Sequence, residues 1–199
     1  MLRFLRLGVF VIFAIPSTAR ATTIDFESFS DSDVLTNQIA GVTFSNATAL
    51  TAGVSLNEID FPPHSGDNVV VDDGGAMSIT FASPLASFGG YFTYMAPITL
   101  EAFSPAHVSL GSISSAFSAN FASSGNSPNE FLQLVFASGL GSVTITGDVG
   151  GGSFVLDDAI LTPLQGGPEP DPNAPVPEPG TFTLIATAAA YVLRRHRSR

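Results

Sequence analysis

The sequence predicts an all-β protein, an antiparallel β-sandwich, from three observations. Between residues 22 and 162 short β-rich runs alternate with Gly, Ser, Asn, Asp and Pro, and no long run has a helical period. Two of the runs, MSITFA and SVTIT, alternate apolar and polar residues, which is typical of strands with one buried face. The chain also has 17 phenylalanines, most of them in this part, and these provide bulk for a core between two sheets.

The individual strands are predicted from β-branched and aromatic runs that end at turn residues. Asp73-Gly74-Gly75 lies between two of these runs and favours a tight hairpin turn. The predicted strands are 41–45, 68–72, 77–82, 87–94, 130–136, 142–146 and 153–161.

Charge is strongly segregated along the chain. The net charge is -10, and all 17 acids lie between Ala21 and Leu193, a stretch that has no Lys or Arg. Nucleic acid is therefore a poor partner, because phosphates are bound by neutralising them with basic side chains. The chain has no cysteine, which excludes disulfides, thiolate metal sites and cysteine catalysis.

The first 21 residues have the pattern of a secretory signal peptide. Arg3 and Arg6 precede an apolar run over 7–15, and Ala19-Arg20-Ala21 provides a cleavage site of small residues. We expect export through the Sec translocon and removal of residues 1–21 by signal peptidase, so that the mature chain begins at Thr22. A buried amino-terminal helix or strand is the alternative.

The carboxyl end combines a spacer, an apolar run and a basic tip. Residues 163–175 are rich in proline and predict an extended linker. Residues 181–193 would rise about 20 Å as a helix, which is short of the roughly 30 Å hydrocarbon core of a bilayer. Arginines at both termini place both ends in the cytoplasm by the positive-inside rule and the acidic body outside. A basic helical tail on a soluble protein is the alternative.

The last 24 residues, 176–199, resemble a PEP-CTERM sorting signal. The resemblance implies that an exosortase recognises the Pro-Glu-Pro element, and that the hydrophobic helix holds the precursor in the inner membrane of a Gram-negative bacterium. It also implies that the tail is removed as the protein is sorted to the cell surface or matrix. The residues that carry it are the motif Val176, Pro177, Glu178 and Pro179 and the terminal cluster Arg194, Arg195, Arg197 and Arg199.

The body resembles the β-sandwich domains found ahead of PEP-CTERM tails, which are similar to jelly-roll carbohydrate-binding modules. In such modules a carboxylate of the first strand and an aspartate of the last hold a structural Ca²⁺ together with loop carbonyls. The segments that carry the resemblance are Ile24-Asp25-Phe26-Glu27, His64-Ser65-Gly66-Asp67-Asn68, Phe88-Gly89-Gly90-Tyr91-Phe92 and Phe154-Val155-Leu156-Asp157-Asp158.

This resemblance directs attention to the acids at the two ends of the body. First and last strands commonly lie side by side in a jelly roll, which would bring Glu27 near Asp157 or Asp158. Carboxylates that converge without a cation must protonate, move apart or bind a metal, and Ca²⁺ suits oxygen ligands. We therefore expect a calcium site at these three acids with carbonyls of the 64–68 loop, and Asp31 and Asp33 as further candidates. Solvated acids at strand ends and turns are the alternative.

An aromatic cluster offers a glycan-binding surface. The chain has no Trp, and Tyr91, Phe92 and Tyr94 are the nearest substitutes, with Tyr91 and Tyr94 as the glycan-binding candidates. Strand alternation sends Tyr91 and Phe92 to opposite faces, and a core role is the alternative for this cluster.

Catalysis has little support in the sequence. His64 and His107 are expected in a loop and at the surface, and no G-x-S-x-G or H-E-x-x-H motif accompanies them. We therefore expect a secreted, non-enzymatic surface or exopolysaccharide-matrix protein with a structural or adhesive role. A periplasmic or released sugar-binding lectin is the first alternative, and a carboxylate glycosidase is the second.

Overall fold

Strands make up almost all regular structure in residues 20–164, which are the residues that the computed structural model describes. One 3-10 turn, Ala122–Ser124, is the exception within this range. The predicted sorting signal (176–199), and nearly all of the predicted signal peptide and linker, lie outside the described residues. The strands are β1 (Thr22–Ile24), β2 (Val42–Ser45), β3 (Ala47–Thr51), β4 (Asn68–Asp73), β5 (Met77–Tyr94), β6 (Thr99–Phe103), β7 (Ser109–Ser114), β8 (Glu130–Thr146) and β9 (Gly151–Pro163).

Two long strands, β5 and β8, run through both layers of an antiparallel β-sandwich. The first part of β5 pairs with β2 and with the end of β8, and its second part pairs with β9 and with the start of β8. The register shifts between Thr80 and Ser87 mark the passage from one layer to the other. The first layer has the order β3-β4-β9-β5-β8 and the second the order β2-β5-β8-β6-β7. The predicted all-β fold class is confirmed.

The first strand lies beside the last strand. β1 pairs with β9 in antiparallel register, with Thr22 opposite Leu161 and Ile24 opposite Ala159. This neighbourhood was the premise of the predicted acidic cluster, and it places the chain that follows β1 close to the middle of β9.

The core between the layers is aromatic, as the phenylalanine content predicts. Tyr94, Phe26, Phe88, Phe92 and Phe154 are among its largest fully buried side chains. Full burial of side chains of this kind contributes about 1.5–3 kcal/mol each, so these rings provide much of the cohesion that a chain without disulfides needs.

The sequence predictions differ from the structure mainly at bends and in small-residue strands. Segments 77–82 and 87–94 belong to one strand, β5, and segments 130–136 and 142–146 belong to β8. Ser83-Pro84 and Ser138-Gly139 have the composition of loops, but here they lie in bends of continuous strands. β3, β6 and β7 were not predicted; all three are short, and β3 and β7 are rich in Ala, Thr, Ser and Gly.

The hairpin predicted at Asp73-Gly74-Gly75 is wrong. A tight turn is present, but β4 pairs with β3 and β9, whereas β5 pairs with β2, β8 and β9. The turn therefore carries the chain from one layer to the other. Turn residues predict a change of direction, and they do not determine which strand the chain pairs with next.

Substitution of Gly141 tests how closely the chain is packed where β8 has entered the second layer. A Cβ atom at this position would lie 2.7 Å from Cα of Pro105, which is a backbone atom that cannot rotate away. We expect Gly141→Ala to lower the free energy of unfolding by about 1–3 kcal/mol, measured by urea denaturation. Gly150→Ala is the control, because a Cβ there meets nothing within 4 Å. Equal stability of the two variants would contradict this account.

Candidate functional site

Carboxylates from the two ends of the body hold one loop, His64–Asn68, by its backbone. Oε1 of Glu27 accepts hydrogen bonds from the N–H groups of Asp67 at 3.1 Å and Asn68 at 2.9 Å. Oδ2 of Asp157 accepts from the N–H groups of His64 at 2.7 Å and Ser65 at 2.8 Å. We call this segment the acid-held loop. Its contacts bring Glu27 and Asp157 to neighbouring parts of one short segment, as the sequence predicts.

A β-bulge allows two consecutive aspartates of β9 to reach the same loop. Consecutive strand residues normally point to opposite faces, but the β5–β9 register shifts between the pairs Gly89–Ile160 and Tyr91–Asp157. Asp158 lies in this shift with a φ of 44°. Its Oδ2 lies 2.6 Å from Nδ1 of His64, and its Oδ1 accepts a hydrogen bond from the Ser65 hydroxyl at 3.1 Å.

Hydrogen bonds from the loop occupy these acids, and the calcium site predicted at them stays a prediction. Ca²⁺ takes six to eight oxygen ligands, whereas the loop presents N–H and O–H donors to Glu27, Asp157 and Asp158. Within residues 20–164 no three His, Cys, Asp or Glu side chains are arranged to hold a metal ion. In this arrangement loop amides contact the carboxylates of Glu27 and Asp157.

The further calcium candidates, Asp31 and Asp33, hold a turn beside β3. Asp31 accepts from the N–H of Thr51 at 2.9 Å and from the Ser55 hydroxyl, and Asp33 accepts from the N–H of Ser30 at 2.8 Å. The Ser55 hydroxyl, then the Thr51 amide, lower the pKa of Asp31. Both acids therefore act as turn-stabilising acceptors.

The raised pKa of Asp157 would suit a general acid, but a substrate cannot reach its carboxyl group. Burial raises its pKa to about 6, against the opposing effect of the hydrogen bonds from Ser65, Asp158 and His64. A raised carboxyl pKa is typical of the acid in glycosidases. However, the residue is 1% exposed, and its second oxygen accepts the N–H of Asp158 at 2.6 Å. Its carboxyl is occupied by the backbone and does not face a substrate.

Three aromatic rings form a surface on the outer side of the first layer. His64 stacks on Tyr91 with ring centroids 3.4 Å apart and an angle of 9° between planes. Tyr91 also contacts Phe131, its cross-strand partner in β8, at 5.1 Å and 48°. The His64 side chain is 36% exposed and Phe131 is 43% exposed. We call His64, Tyr91 and Phe131 the aromatic platform.

Tyr94 does not belong to this platform, so its prediction as a glycan-binding residue is wrong. It is fully buried, because strand alternation places it on the core face with Phe92. Its hydroxyl donates a hydrogen bond to Glu130, and burial, followed by this bond, raises its pKa to about 12. Tyr91, on the opposite face, lies in the platform, so its role as a glycan-binding residue stays a prediction.

The two histidines of the body differ in their surroundings. His107 lies exposed between β6 and β7 with a φ of 58°, as expected of a turn residue. His64 lies in a loop as expected, but sequence reasoning missed its stacking on Tyr91. It also missed Phe131, whose outward position in β8 follows from the alternation of EFLQLVF.

Known proteins are similar to this chain only in solved structure. No family model and no curated protein matches the sequence. The K2 adhesin domain of Lys-gingipain is 13% identical, with 72% of this chain and 99% of that chain covered and a TM-score of 0.48. A DUF4465 family protein from Bacteroides caccae is 10% identical, with 72% of this chain and 99% of that chain covered and a TM-score of 0.46. The family 11 carbohydrate-binding module from Clostridium thermocellum is 12% identical, with 74% of this chain and 98% of that chain covered and a TM-score of 0.36. Sequence identities and TM-scores this low do not bear on function.

The burial of Asp157 predicts a specific dependence of stability on pH. A folded pKa of about 6 lies above the unfolded value near 3.9, so the stabilising effect of the bound proton is complete below about pH 4 and is lost as the pH rises through about 6. Asp157→Asn removes this titration and serves as the reference. We expect the difference in free energy of unfolding, wild type minus Asp157→Asn, to fall by up to roughly 3 kcal/mol as the pH rises from about 4 to about 6. Urea denaturation across pH measures this difference. A difference that rises with pH would contradict the assignment.

Proposed function

We propose that the protein is a non-catalytic glycan-binding β-sandwich and that the aromatic platform is its binding face. The observation that carries the proposal is the stack of His64 on Tyr91 beside the half-exposed ring of Phe131. Flat aromatic faces accept the C–H face of a sugar ring, and the polar edge of His64 can hydrogen-bond sugar hydroxyls. An exposed apolar surface with a polar rim is typical of a ligand site.

The platform is organised before any ligand arrives. The His64 ring is held on one side by Tyr91 and at Nδ1 by Asp158, while its backbone N–H is bound to Asp157. The second imidazole nitrogen, Nε2, has no hydrogen-bond partner among residues 20–164 and is available to a ligand. A rigid surface of this kind loses little side-chain entropy on binding, which favours affinity.

The charge of the body indicates the class of glycan. No Lys or Arg occurs between Ala21 and Leu193, and Glu27, Asp157 and Asp158 contact the acid-held loop, which itself contains Asp67. A surface field of one sign repels polymers of the same sign and attracts the opposite sign. We therefore expect neutral or amino-bearing polysaccharides to bind, and polymers rich in carboxylate or sulfate to be excluded.

The same acids argue against the glycosidase alternative. Glycoside hydrolysis needs two carboxyl groups that flank the scissile bond. Asp157 is buried and saturated by backbone amides, and Asp158 is bound to His64 and Ser65. The raised pKa of Asp157 is the one feature that favours catalysis, and burial accounts for it.

We also infer that the two ends of the chain are targeting signals. The amino-terminal pattern supports Sec export and signal peptidase cleavage, and the order Pro177-Glu178-Pro179, apolar run and arginine cluster supports sorting by an exosortase. The glycan-binding body would then be delivered to the cell surface or the exopolysaccharide matrix of a Gram-negative bacterium, where it would act as a structural or adhesive component.

Affinity electrophoresis tests the platform. We expect gels containing β-glucan or chitosan to retard the purified body, and gels containing alginate to leave its mobility unchanged. His64→Ala and Phe131→Ala should weaken the affinity about 5- to 150-fold, because a lost stacking contact of this size is worth roughly 1–3 kcal/mol. Phe117→Ala is the matched control, since it removes a phenylalanine of similar exposure, 40%, outside the platform. Equal retardation of all variants would contradict the site, and release of reducing sugar would support the glycosidase instead.

The intact mass of the mature protein tests the sorting proposal. We expect protein from the native host, fractionated into membrane, periplasm and medium, to begin at Thr22 and to lack the residues after the Pro177 region. It should also be found outside the inner membrane. A soluble form that retains Arg199 would rule out processing by an exosortase.

A further inference from the structure

A second pair of aromatic rings lies on the same outer surface as the aromatic platform. Phe61 and Phe121 stack with centroids 6.1 Å apart and 19° between their planes, and both are partly exposed. Phe61 packs against the small cluster of Leu56, Val69 and Val155, of which Val69 and Val155 lie on the outer side of β4 and β9. Val155 pairs with Thr93 and Asp157 pairs with Tyr91, so the platform and the second pair share one face of the first layer.

Hydrogen bonds fasten the two chain segments that provide these rings. The carbonyl of Asp60 accepts the N–H of Ala122 at 2.9 Å, and its carboxylate accepts the N–H of Ser123 at 3.2 Å. Farther along, Nδ2 of Asn129 donates to the carbonyl of Pro62 at 3.2 Å. Residues 60–64 and 121–131 therefore run together, with one aromatic pair towards each end.

The prolines between the pairs set their spacing and direction. Pro62 and Pro63 have φ fixed near −65°, and a residue that precedes proline is held in the extended region, which together favour a polyproline II turn. Such a helix has about three residues per turn, so a polyproline II turn would place residues three apart, such as Phe61 and His64, on one side. We call Phe121, Phe61, Pro63, His64 and Phe131 the aromatic strip.

We propose that Phe61 and Phe121 form a second sugar subsite, and that the aromatic strip binds several consecutive sugars of a linear polysaccharide rather than a single sugar. This inference rests on the proposed function. Each aromatic pair offers a flat apolar face, and Pro63 lies between the pairs as a further apolar ring. The acidic surroundings without Lys or Arg match a chain of neutral or amino-bearing sugars.

Isothermal titration with oligosaccharides of different length tests the second subsite. The probes are disaccharides and hexasaccharides of the cello-, laminari- and chito- series, the last with and without N-acetyl groups. We expect the wild type to bind the hexasaccharide of at least one series about tenfold more tightly than its disaccharide, because the longer chain engages both pairs at once. Phe121→Leu and Phe61→Leu should remove most of this gain and leave disaccharide affinity unchanged, whereas Phe131→Ala should weaken both.

Two controls keep folding and binding apart. Phe136→Leu replaces a partly buried phenylalanine that packs on the core away from the aromatic strip, and we expect unchanged affinity for either length. Circular dichroism of each variant checks that the fold is retained, and Phe61→Leu and Phe121→Leu probe the same pair from two segments.

The possible failures are distinguishable. Equal affinity of the wild type for both lengths, or unchanged hexasaccharide affinity in both leucine variants, would overturn the second subsite while leaving the platform in place. Binding of none of these probes would overturn the second subsite and the glycan-binding proposal together.

Discussion

The rest of the structure depends on hydrogen bonds between carboxylates and backbone N–H groups in a body without Lys or Arg. Asp157 accepts two amides of the acid-held loop, and Glu27 accepts two more. Asp72 repeats the arrangement inside the first layer, where it accepts the N–H groups of Ser153 at 2.9 Å and Phe154 at 3.2 Å. Within residues 20–164 the one contact between an acid and a potentially basic side chain is that of Asp158 with His64, so amides take the place that basic side chains hold in other proteins.

This constraint connects the sandwich to its candidate binding surface. Pairing of β1 with β9 brings Glu27 near the middle of the last strand, and the bulge turns Asp158 to the same side as Asp157. These acids fix the acid-held loop, and the loop places the His64 ring on Tyr91. Gly66, at a φ of 54°, packs so closely on Glu27 that a Cβ would lie 2.3 Å from its Cδ. The geometry of the platform is thus set by residues that do not face a ligand.

Local patterns in the sequence predicted most of the fold and part of the site. Alternation located β5 and β8, and the resemblance to jelly-roll modules predicted that acids after the first strand and inside the last would converge. The nature of their partners could not be predicted, because a loop offers both carbonyls and amides, and its backbone dihedrals decide which of them point at the acid. The platform was missed for another reason. His64, Tyr91 and Phe131 are far apart in the chain, and only strand register and loop placement bring them together.

The same arrangement determines how substitutions of the acids should be interpreted. Loss of glycan binding on changing Asp157, Asp158 or Glu27 would resemble loss of a calcium ligand or of a catalytic carboxyl, since each explanation makes binding or turnover depend on an acid. In this structure the acids contact the backbone of the acid-held loop and the His64 ring, so their removal releases the ring that stacks on Tyr91. On the proposed function, binding would then depend on these acids indirectly, because the carboxylate holds the aromatic surface that we propose meets the sugar. An acid variant identifies a ligand or catalytic group only if the acid-held loop keeps its place without that acid.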